Sequence, residues 1–152
     1  MVTRKLKIAI LECDSSHTEA YSQLTNLGVS ALGERAEVSS IYSSDLDLAN
    51  HKAEKLKIPK ATSNLDKALD DADCAMVIGR YADSHYKLAK ESLCRNIPVF
   101  LDKPFVETSY QLEDLISISK SKDTGLMACS PFRFDEGLIR FKKDLKNFKD
   151  SI

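Results

Sequence analysis

The sequence predicts an α/β fold, in which a doubly wound parallel sheet forms a single domain and one amphipathic helix follows at the C-terminal end. Short apolar segments alternate with segments of helical periodicity from residue 6 onward. Two of the apolar segments, residues 74–79 and 98–101, are nearly continuous, as in strands that are buried on both faces. Because helical segments of this size connect strands through right-handed crossovers, the strands are expected to run parallel.

Taken in order, the apolar runs and their turn residues predict five strands and six helices. The strands are expected at residues 6–11, 37–42, 74–79, 98–101 and 126–129. The helices are expected at residues 17–28, 44–56, 63–69, 83–95, 108–122 and 136–152. Four of these helices have a start signal, in which Ser or Thr precedes an acid or Gln by three positions. The four pairs are Ser16 and Glu19, Ser44 and Asp47, Ser63 and Asp66, and Thr108 and Gln111.

The composition limits the classes of protein to which this chain can belong. Its 152 residues, 43% hydrophobic and 30% charged, suffice for one domain with a core of its own. A net charge of −1 gives no field that would attract nucleic acid or an anionic membrane. The apolar runs are far shorter than the roughly 20 residues that cross a bilayer. The N-terminal residues carry charges and no signal-peptide apolar region, so a cytoplasmic location is expected.

The last segment, residues 136–152, is basic and has one apolar stripe. Its apolar residues recur at intervals of three and four and would share one face of a helix: Leu138, Phe141, Leu145, Phe148 and Ile152. Such a stripe must cover something. The candidates are the domain itself or another chain, which makes a homo-oligomer through this stripe one expectation.

The four cysteines lack the spacing of a zinc site or of a disulfide framework. Cys74, Cys94 and Cys129 lie in or beside apolar stretches and are expected to be buried free thiols. Cys13 precedes a helix N-terminus, which would favour its thiolate, whereas the adjacent Glu12 and Asp14 oppose it. No His or carboxylate constellation predicts a metal.

Three segments resemble the Gfo/Idh/MocA oxidoreductase family. Residues 73–85, D-C-A-M-V-I-G-R-Y-A-D-S-H, are similar to its fourth strand and the following turn. Residues 96–105, N-I-P-V-F-L-D-K-P-F, resemble its G-K-x-V-x-x-E-K-P motif, with Asp in place of Glu. Residues 126–134 are similar to the strand that ends its nucleotide domain.

The resemblance implies a Rossmann-like NAD(P)-binding domain at residues 1–134. It also implies that residues 135–152 form the first helix of a second, substrate-binding domain. The implied reaction is hydride transfer between NAD or NADP and a small-molecule substrate, a sugar- or polyol-like hydroxyl compound. A fragment and a naturally truncated relative are both compatible with the sequence, and in either case the chain is not expected to be active alone.

The residues that should bind the cofactor depart from the usual fingerprint. A dinucleotide-binding turn needs G-x-G-x-x-G for a tight turn and close approach to the pyrophosphate. Residues 11–18, L-E-C-D-S-S-H-T, contain no glycine, and Glu12 and Asp14 place carboxylates there. Cofactor binding is therefore expected to be weakened or lost. A subgroup of the family resembles this chain in having D-S-S-H-like residues at this turn, so a working site is also compatible with the sequence. The predicted cofactor-binding residues are Cys13, Ser15, Ser16, His17, Ser43, Arg80 and Asp102.

Lys103 is the predicted catalytic residue. In the resembling family this lysine lies near the nicotinamide and polarises the reacting oxygen, and an ammonium there would stabilise alkoxide charge. Asp102 would orient Lys103 or pair with it. Arg80 and Tyr81 would narrow the cofactor slot or contact a phosphate. His17 and His85 are each expected to be structural hydrogen-bonding groups.

The position that selects between NAD and NADP is expected at the end of the second strand. By position it is Ser43, which would accept NADP, although no arginine follows it to hold a 2′-phosphate. Ser44 would cap the next helix, and Asp45 could still reach a ribose. The alternative function is a non-catalytic module for assembly or for a different nucleotide, such as an adenosine compound.

Overall fold

A computed structural model describes residues 4–149, apart from the side-chain surroundings of residues 131 and 146–149. The six strands are β1 (Leu6–Leu11), β2 (Ala36–Tyr42), β3 (Lys60–Thr62), β4 (Cys74–Val77), β5 (Val99–Leu101) and β6 (Leu126–Ala128). The six helices are α1 (His17–Thr25), α2 (Leu46–Leu56), α3 (Leu65–Leu69), α4 (Ala82–Cys94), α5 (Ser109–Ser121) and α6 (Glu136–Lys149). Short 3₁₀ turns lie at Ala31–Glu34 and Pro131–Phe134.

The sheet confirms the predicted doubly wound α/β fold. Its strand order is β3-β2-β1-β4-β5-β6, and every neighbouring pair is parallel. The order reverses between β1 and β4, which is where ligands bind in open sheets of this kind. Strand β3 was missed by the sequence analysis because its three residues, K-A-T, form an edge strand with no apolar run.

For three helices the predicted N-cap was wrong: either a different residue caps the helix, or the predicted residue makes no capping hydrogen bond. Ser16 occupies the N-cap of α1, but its side chain makes no capping hydrogen bond. Asp45 rather than Ser44 caps α2, and its carboxylate accepts a hydrogen bond from the backbone N–H of Leu48. Asn64 rather than Ser63 likewise caps α3. In these two cases a side chain one residue further along accepts the bond of the first turn.

The remaining signals agree with the structure or shift by a few residues. The capping box of α5 is confirmed, with both reciprocal hydrogen bonds between Thr108 and Gln111. Helix α1 ends at Thr25, before the predicted end at Gly28, and Gly28 adopts a positive φ of 70° in the loop that follows.

The two faces of the sheet carry separate cores. One face packs against α3, α4 and α5, and its centre includes Leu11, Val77, Leu101, Leu93 and Leu115, all inaccessible to solvent or nearly so. The other face packs against α1 and α2. Successive side chains along a strand point to opposite faces of the sheet, so β1 and β4 contribute to both cores.

The helix predicted after the domain is present as α6. It packs against the 3₁₀ turn Pro131–Phe134 that precedes it. No helix in the described residues is long and apolar enough to cross a membrane. The division into residues 1–134 and 135–152 stays a prediction.

The loop after α1 is tied to the sheet by one side chain. Asn26 Nδ2 donates to the carbonyl of Val38 over 2.8 Å, and its Oδ1 accepts from the N–H of Val38 over 2.8 Å. Asn26 Nδ2 also lies 3.3 Å from the carbonyl of Lys57. One amide thus satisfies backbone groups of β2 and of the end of α2.

Replacing Asn26 with Ala should lower the free energy of unfolding by about 1–3 kcal/mol, because it leaves partly buried backbone groups without partners. Urea denaturation measures the change. The control is Asn50→Ala on the exposed surface of α2, which should change the value by less than about 0.5 kcal/mol. Equal effects from the two substitutions would contradict the bridging role of Asn26.

Candidate functional site at the carboxyl edge of the sheet

A cleft of about 350 Å³ opens at the carboxyl ends of the central strands. Residues that directly follow β1, β2 and β4 form it, together with the starts of α2 and α4. Its lining residues are Glu12, Asp14, Ser43, Ser44, Asp45, Leu48, Arg80, Tyr81, Asp83 and Ser84. The cleft therefore lies where the strand order reverses, and it is rich in carboxylates.

Glu12 occupies the position of the first glycine of a dinucleotide fingerprint. Its φ is 61°, in the left-handed region that favours glycine, so the turn has the conformation of a glycine turn without the glycine. Gly79 faces it from the end of β4. A Cβ at Gly79 would lie 2.9 Å from Cβ of Glu12, so the larger side chain at residue 12 requires a glycine at residue 79.

The carboxyl group of Glu12 is partly buried, with Ser43 and Ser44 as its hydrogen-bond donors. The Ser43 hydroxyl donates to Glu12 Oε2 over 3.3 Å. Burial raises the pKa of Glu12 above its ordinary value, and repulsion from Asp14 and Asp83 adds to the rise, while hydrogen bonds from Ser44 and Ser43 counteract it. A proton on Glu12 is therefore held more tightly than on a free glutamate.

Asp14 is turned towards the loop after β4. The backbone N–H of Arg80 donates to Asp14 Oδ1 over 2.9 Å, and Arg80 Nη2 donates to the carbonyl oxygen of Asp14 over 3.2 Å. The contacts hold together the two loops on which the cleft depends. Arg80, predicted to narrow the cofactor slot or contact a phosphate, is engaged by this loop and remains exposed at the cleft.

Lys52 supports the same turn from below and was missed by the sequence analysis. Its side chain is largely buried, and Nζ donates to the carbonyl of Ser15 over 3.1 Å and pairs with Glu19 at 3.1 Å. Ser15 is also buried, and its hydroxyl accepts a hydrogen bond from the N–H of His17. No sequence signal distinguishes Lys52 from Lys55, the other lysine of α2, because its contacts are with Ser15 and with Glu19 of α1.

The side chains of His17 and Asp102 are in direct contact beside the cleft. His17 Nδ1 contacts Asp102 Oδ2, although 85 positions separate the two residues. Asp102 is fully buried, and its Oδ1 has no hydrogen-bond partner within the described residues. The expectation that Asp102 pairs with Lys103 was wrong, because the Asp102 side chain points inward to His17. Lys103 is exposed at the end of β5.

The other predicted residues divide between the cleft and the core. Ser43 lies at the cleft, largely buried, and Ser16 is exposed at the start of α1. Cys13 is fully buried in the core under α1 and α2, so its thiol does not face the cleft. His85 is a structural residue as expected, since its Nε2 lies 2.9 Å from the carbonyl oxygen of Gly79.

The expectations for the cysteines were partly wrong. Cys129 is a buried free thiol as expected, whereas Cys74 is only partly buried and Cys94, the last residue of α4, is exposed. Burial raises the pKa of Cys13 to about 11, which opposes a reactive thiol at that position. Within residues 4–149 no group of three or more His, Cys, Asp or Glu side chains is placed to hold a metal ion.

The cleft combines a left-handed turn of the kind that glycine fingerprints form with an acidic lining. The left-handed turn is at Glu12. At the start of α1, the N–H groups of His17 and Thr18 already donate to the hydroxyl and the carbonyl of Ser15, so a phosphate there would compete with these bonds. The carboxylates of Glu12, Asp14, Asp45 and Asp83 around the cleft oppose a pyrophosphate.

The comparisons with known proteins agree on a family and a fold. The family described as "Oxidoreductase family, NAD-binding Rossmann fold" (GFO_IDH_MocA) matches residues 12–129. The uncharacterized oxidoreductase YhhX of Escherichia coli K12 is 35% identical over 89 residues, which cover 58% of this chain and 26% of YhhX.

Solved structures are similar to nearly the whole chain. An apo scyllo-inositol dehydrogenase from Lactobacillus casei aligns with a TM-score of 0.80 at 14% identity, over 98% of this chain and 44% of that one. A variant of KijD10, a 3-ketoreductase from Actinomadura kijaniata in complex with TDP-benzene and NADP, aligns with a TM-score of 0.79 at 18% identity, over 95% and 44%. At such identities the likeness shows the fold. The chain spans less than half the length of these relatives.

The exposure of Cys94 and the burial of Cys13 predict different rates of alkylation for these two thiols in the folded protein. Cys94 should react first with iodoacetamide. Cys13 should react on the order of 100-fold or more slowly, because its raised pKa leaves so little thiolate. Peptide mass spectrometry over time measures both rates, and Cys94→Ser should remove the fast site. Labelling of Cys13 as fast as that of Cys94 would contradict the burial of Cys13.

The raised pKa of Glu12 makes a pH-dependent contribution to stability. Between the ordinary pKa and the raised one, the folded protein binds more protons at this position than the unfolded chain. The free energy of unfolding should therefore rise as the pH falls through this window and drop as the pH increases. In Glu12→Gln this contribution should vanish, while Glu113→Gln on the exposed surface of α5 should keep it. Denaturation curves at several pH values give the comparison, and identical slopes for all three proteins would be inconsistent with it.

Proposed function

The chain belongs to the Gfo/Idh/MocA oxidoreductase family, and we propose that it forms the NAD(P)-binding domain of an enzyme that oxidises or reduces a sugar- or polyol-like substrate. The observation that supports this most strongly is the left-handed turn at Glu12, which keeps the backbone of a dinucleotide-binding turn at the reversal of the strand order. That conformation costs a glutamate roughly 1–2 kcal/mol, so its retention without glycine favours a site that is still used.

Each end of the site has residues suited to one part of the cofactor. The exposed Arg80 would hold the phosphates, together with Ser16 at the start of α1. Asp45, whose carboxylate caps α2 and lines the cleft, would accept hydrogen bonds from a ribose, with Ser43 beside it. Both NAD and NADP are compatible with this set.

Lys103 is the proposed catalytic residue. Bound NAD(P) supplies the hydride acceptor or donor. The exposed ammonium of Lys103, at the end of β5, would hold a proton at Nζ and stabilise negative charge on the substrate oxygen. The His17 and Asp102 contact anchors the residue next to Lys103 in the protein interior. We expect this chain by itself to bind cofactor without turnover, since it spans less than half of its relatives.

A second candidate is a module that has lost dinucleotide binding and serves in assembly or binds a different nucleotide. The Glu12 carboxylate, which opposes a pyrophosphate at the cleft, favours it. The two candidates differ in one measurable property, which is the heat of binding of NADH or NADPH.

Calorimetric titration of the chain with NADH and NADPH tests the proposal, and Glu12→Gln should bind at least about fivefold more tightly than wild type. Two unit charges 4 Å apart repel by about 1 kcal/mol even in bulk water, and loss of that repulsion gives this factor. For wild type, binding should also strengthen as the pH falls, because Glu12 is then protonated, and Glu12→Gln should lack that dependence.

Glu113→Gln on α5 is the matched control and should bind like wild type. Heat from neither cofactor with wild type and with Glu12→Gln would overturn the proposal and favour the second candidate. Binding that is equal in all three proteins would place the cofactor away from Glu12.

A further inference from the structure

Two motifs of the sequence meet in one pair of side chains. His17 ends the D-S-S-H segment and begins α1, and Asp102 directly follows β5. The pair is joined through Nδ1 of the imidazole and Oδ2 of the carboxylate. Because β1 and β5 lie on the two sides of β4, this contact links the two halves of the sheet at its carboxyl edge.

Asp102 is fixed in the protein interior. Its side chain is inaccessible to solvent, and its backbone N–H donates to the carbonyl of Val77 over 3.0 Å. A buried carboxylate costs free energy unless a donor bonds it. Within residues 4–149, His17 is the side chain that contacts this carboxylate, while Oδ1 has no partner there. The imidazole is therefore the group that offsets the burial of Asp102.

The contact also decides which ring nitrogen of His17 holds a proton. An ionised carboxylate only accepts hydrogen bonds, so a neutral imidazole beside it carries its proton on Nδ1 and keeps the lone pair on Nε2. The ring packs edge to face with Tyr21, with the centroids 5.8 Å apart, and Tyr21 packs in the same way with Phe100. Asp102 and Tyr21 together fix the direction of Nε2.

The outer part of the His17 ring reaches the protein surface. The side chain is 24% exposed, and Nε2 forms no hydrogen bond with any residue that the structure describes. His85 is the contrasting case, because it is fully buried and its Nε2 lies 2.9 Å from the carbonyl oxygen of Gly79. A histidine with Nδ1 on a buried carboxylate and Nε2 free has the arrangement of a general base. His17 has that arrangement, and the contact that creates it lies entirely inside the described domain.

The position of the pair fits one end of the proposed cofactor. The residues proposed for a ribose follow β2, and those proposed for phosphates follow β1 and β4. A dinucleotide that starts at β2 and crosses the point where the strand order reverses then ends over β4 and β5. His17, Asp102 and the exposed Lys103 lie at that end. The location of the inferred site therefore rests on the proposed function.

We propose that His17 Nε2 is the proton-accepting atom of this site, with Asp102 as the residue that orients it. In the oxidation of a substrate alcohol, the electron pair of the C–H bond leaves as hydride to NAD(P)⁺, and the O–H proton goes to Nε2 as the carbonyl forms. Asp102 stabilises the resulting imidazolium, while Lys103 keeps its proton and stabilises negative charge on the oxygen. In the reduction His17 returns the proton to the oxygen.

NMR of the imidazole nitrogens in the ¹⁵N-labelled chain tests the orientation, and only three histidines need to be assigned. Neutral His17 should carry its proton on Nδ1. In Asp102→Asn an amide N–H can donate to Nδ1, which should move the proton to Nε2. Asp114→Asn, which breaks the ion pair with Lys90 on α4, is the matched control and should leave His17 as in wild type. Circular dichroism checks that both variants fold. A proton on Nε2 in neutral wild type would overturn the proposal.

Acylation by diethyl pyrocarbonate tests whether Nε2 is a free base, because the reagent attacks a neutral ring nitrogen that has its lone pair available. His17 should react, the buried His85 should not, and the exposed His51 is the internal reference. Asp102→Asn should slow the reaction of His17 about tenfold or more, since one hydrogen bond then holds the proton on Nε2. Peptide mass spectrometry over time gives the rates. A His17 as unreactive as His85, or one that reacts equally fast in Asp102→Asn, would overturn the proposal.

The same reaction in the presence of NADH and NADPH tests the location. Bound cofactor should slow the acylation of His17 in proportion to the fraction of chain that calorimetry shows to be occupied, and should leave His51 unchanged. Binding heat without protection of His17 would overturn this inference and leave the cofactor site standing. Absence of binding heat in wild type and in Glu12→Gln would overturn both.

Discussion

The parallel pairing of β1 with β2 on one side and with β4 on the other is the constraint on which the site depends. It brings the carboxyl ends of β1, β2 and β4 to one edge of the sheet. Glu12 and Ser43 directly follow β1 and β2, and Gly79 lies two residues after β4. The sheet therefore sets the positions of these three residues. The close approach of residues 12 and 79 is possible because residue 79 has no side chain.

Acidic and basic side chains both surround this edge, and their effects on a bound phosphate oppose each other. Glu12, Asp14, Asp45 and Asp83 make the cleft acidic, which opposes phosphate. Lys52 lies beneath the same turn, bonded to Ser15 and Glu19, and Arg80 is bonded to the loop at Asp14. The net effect at the turn depends on the protonation of Glu12, which burial favours. At the proposed site, cofactor affinity would thus be coupled to one carboxyl group, at a position where most dinucleotide-binding turns have glycine.

The sequence predicted the parts of the molecule that depend on local pattern. The apolar runs of β4 and β5, the capping box of α5 and the amphipathic character of α6 all follow from neighbouring residues. Contacts between distant segments could not be predicted in this way. The partner of Asp102 is 85 positions away at His17, whereas the sequence suggested its neighbour Lys103. Lys52 likewise has a role only because α2 packs beside α1. The exposure of Cys94 depends on where α4 ends.

The central claim is that the cleft around Glu12 is a cofactor site, and NMR mapping of NADH on the isotopically labelled chain tests it most directly. We expect backbone amide shifts to change for residues 12–17, 43–45 and 79–81, at the ends of β1, β2 and β4, while the amides of β6 and α6 stay unchanged. Shifts confined to another surface, or no shifts at millimolar NADH, would contradict it.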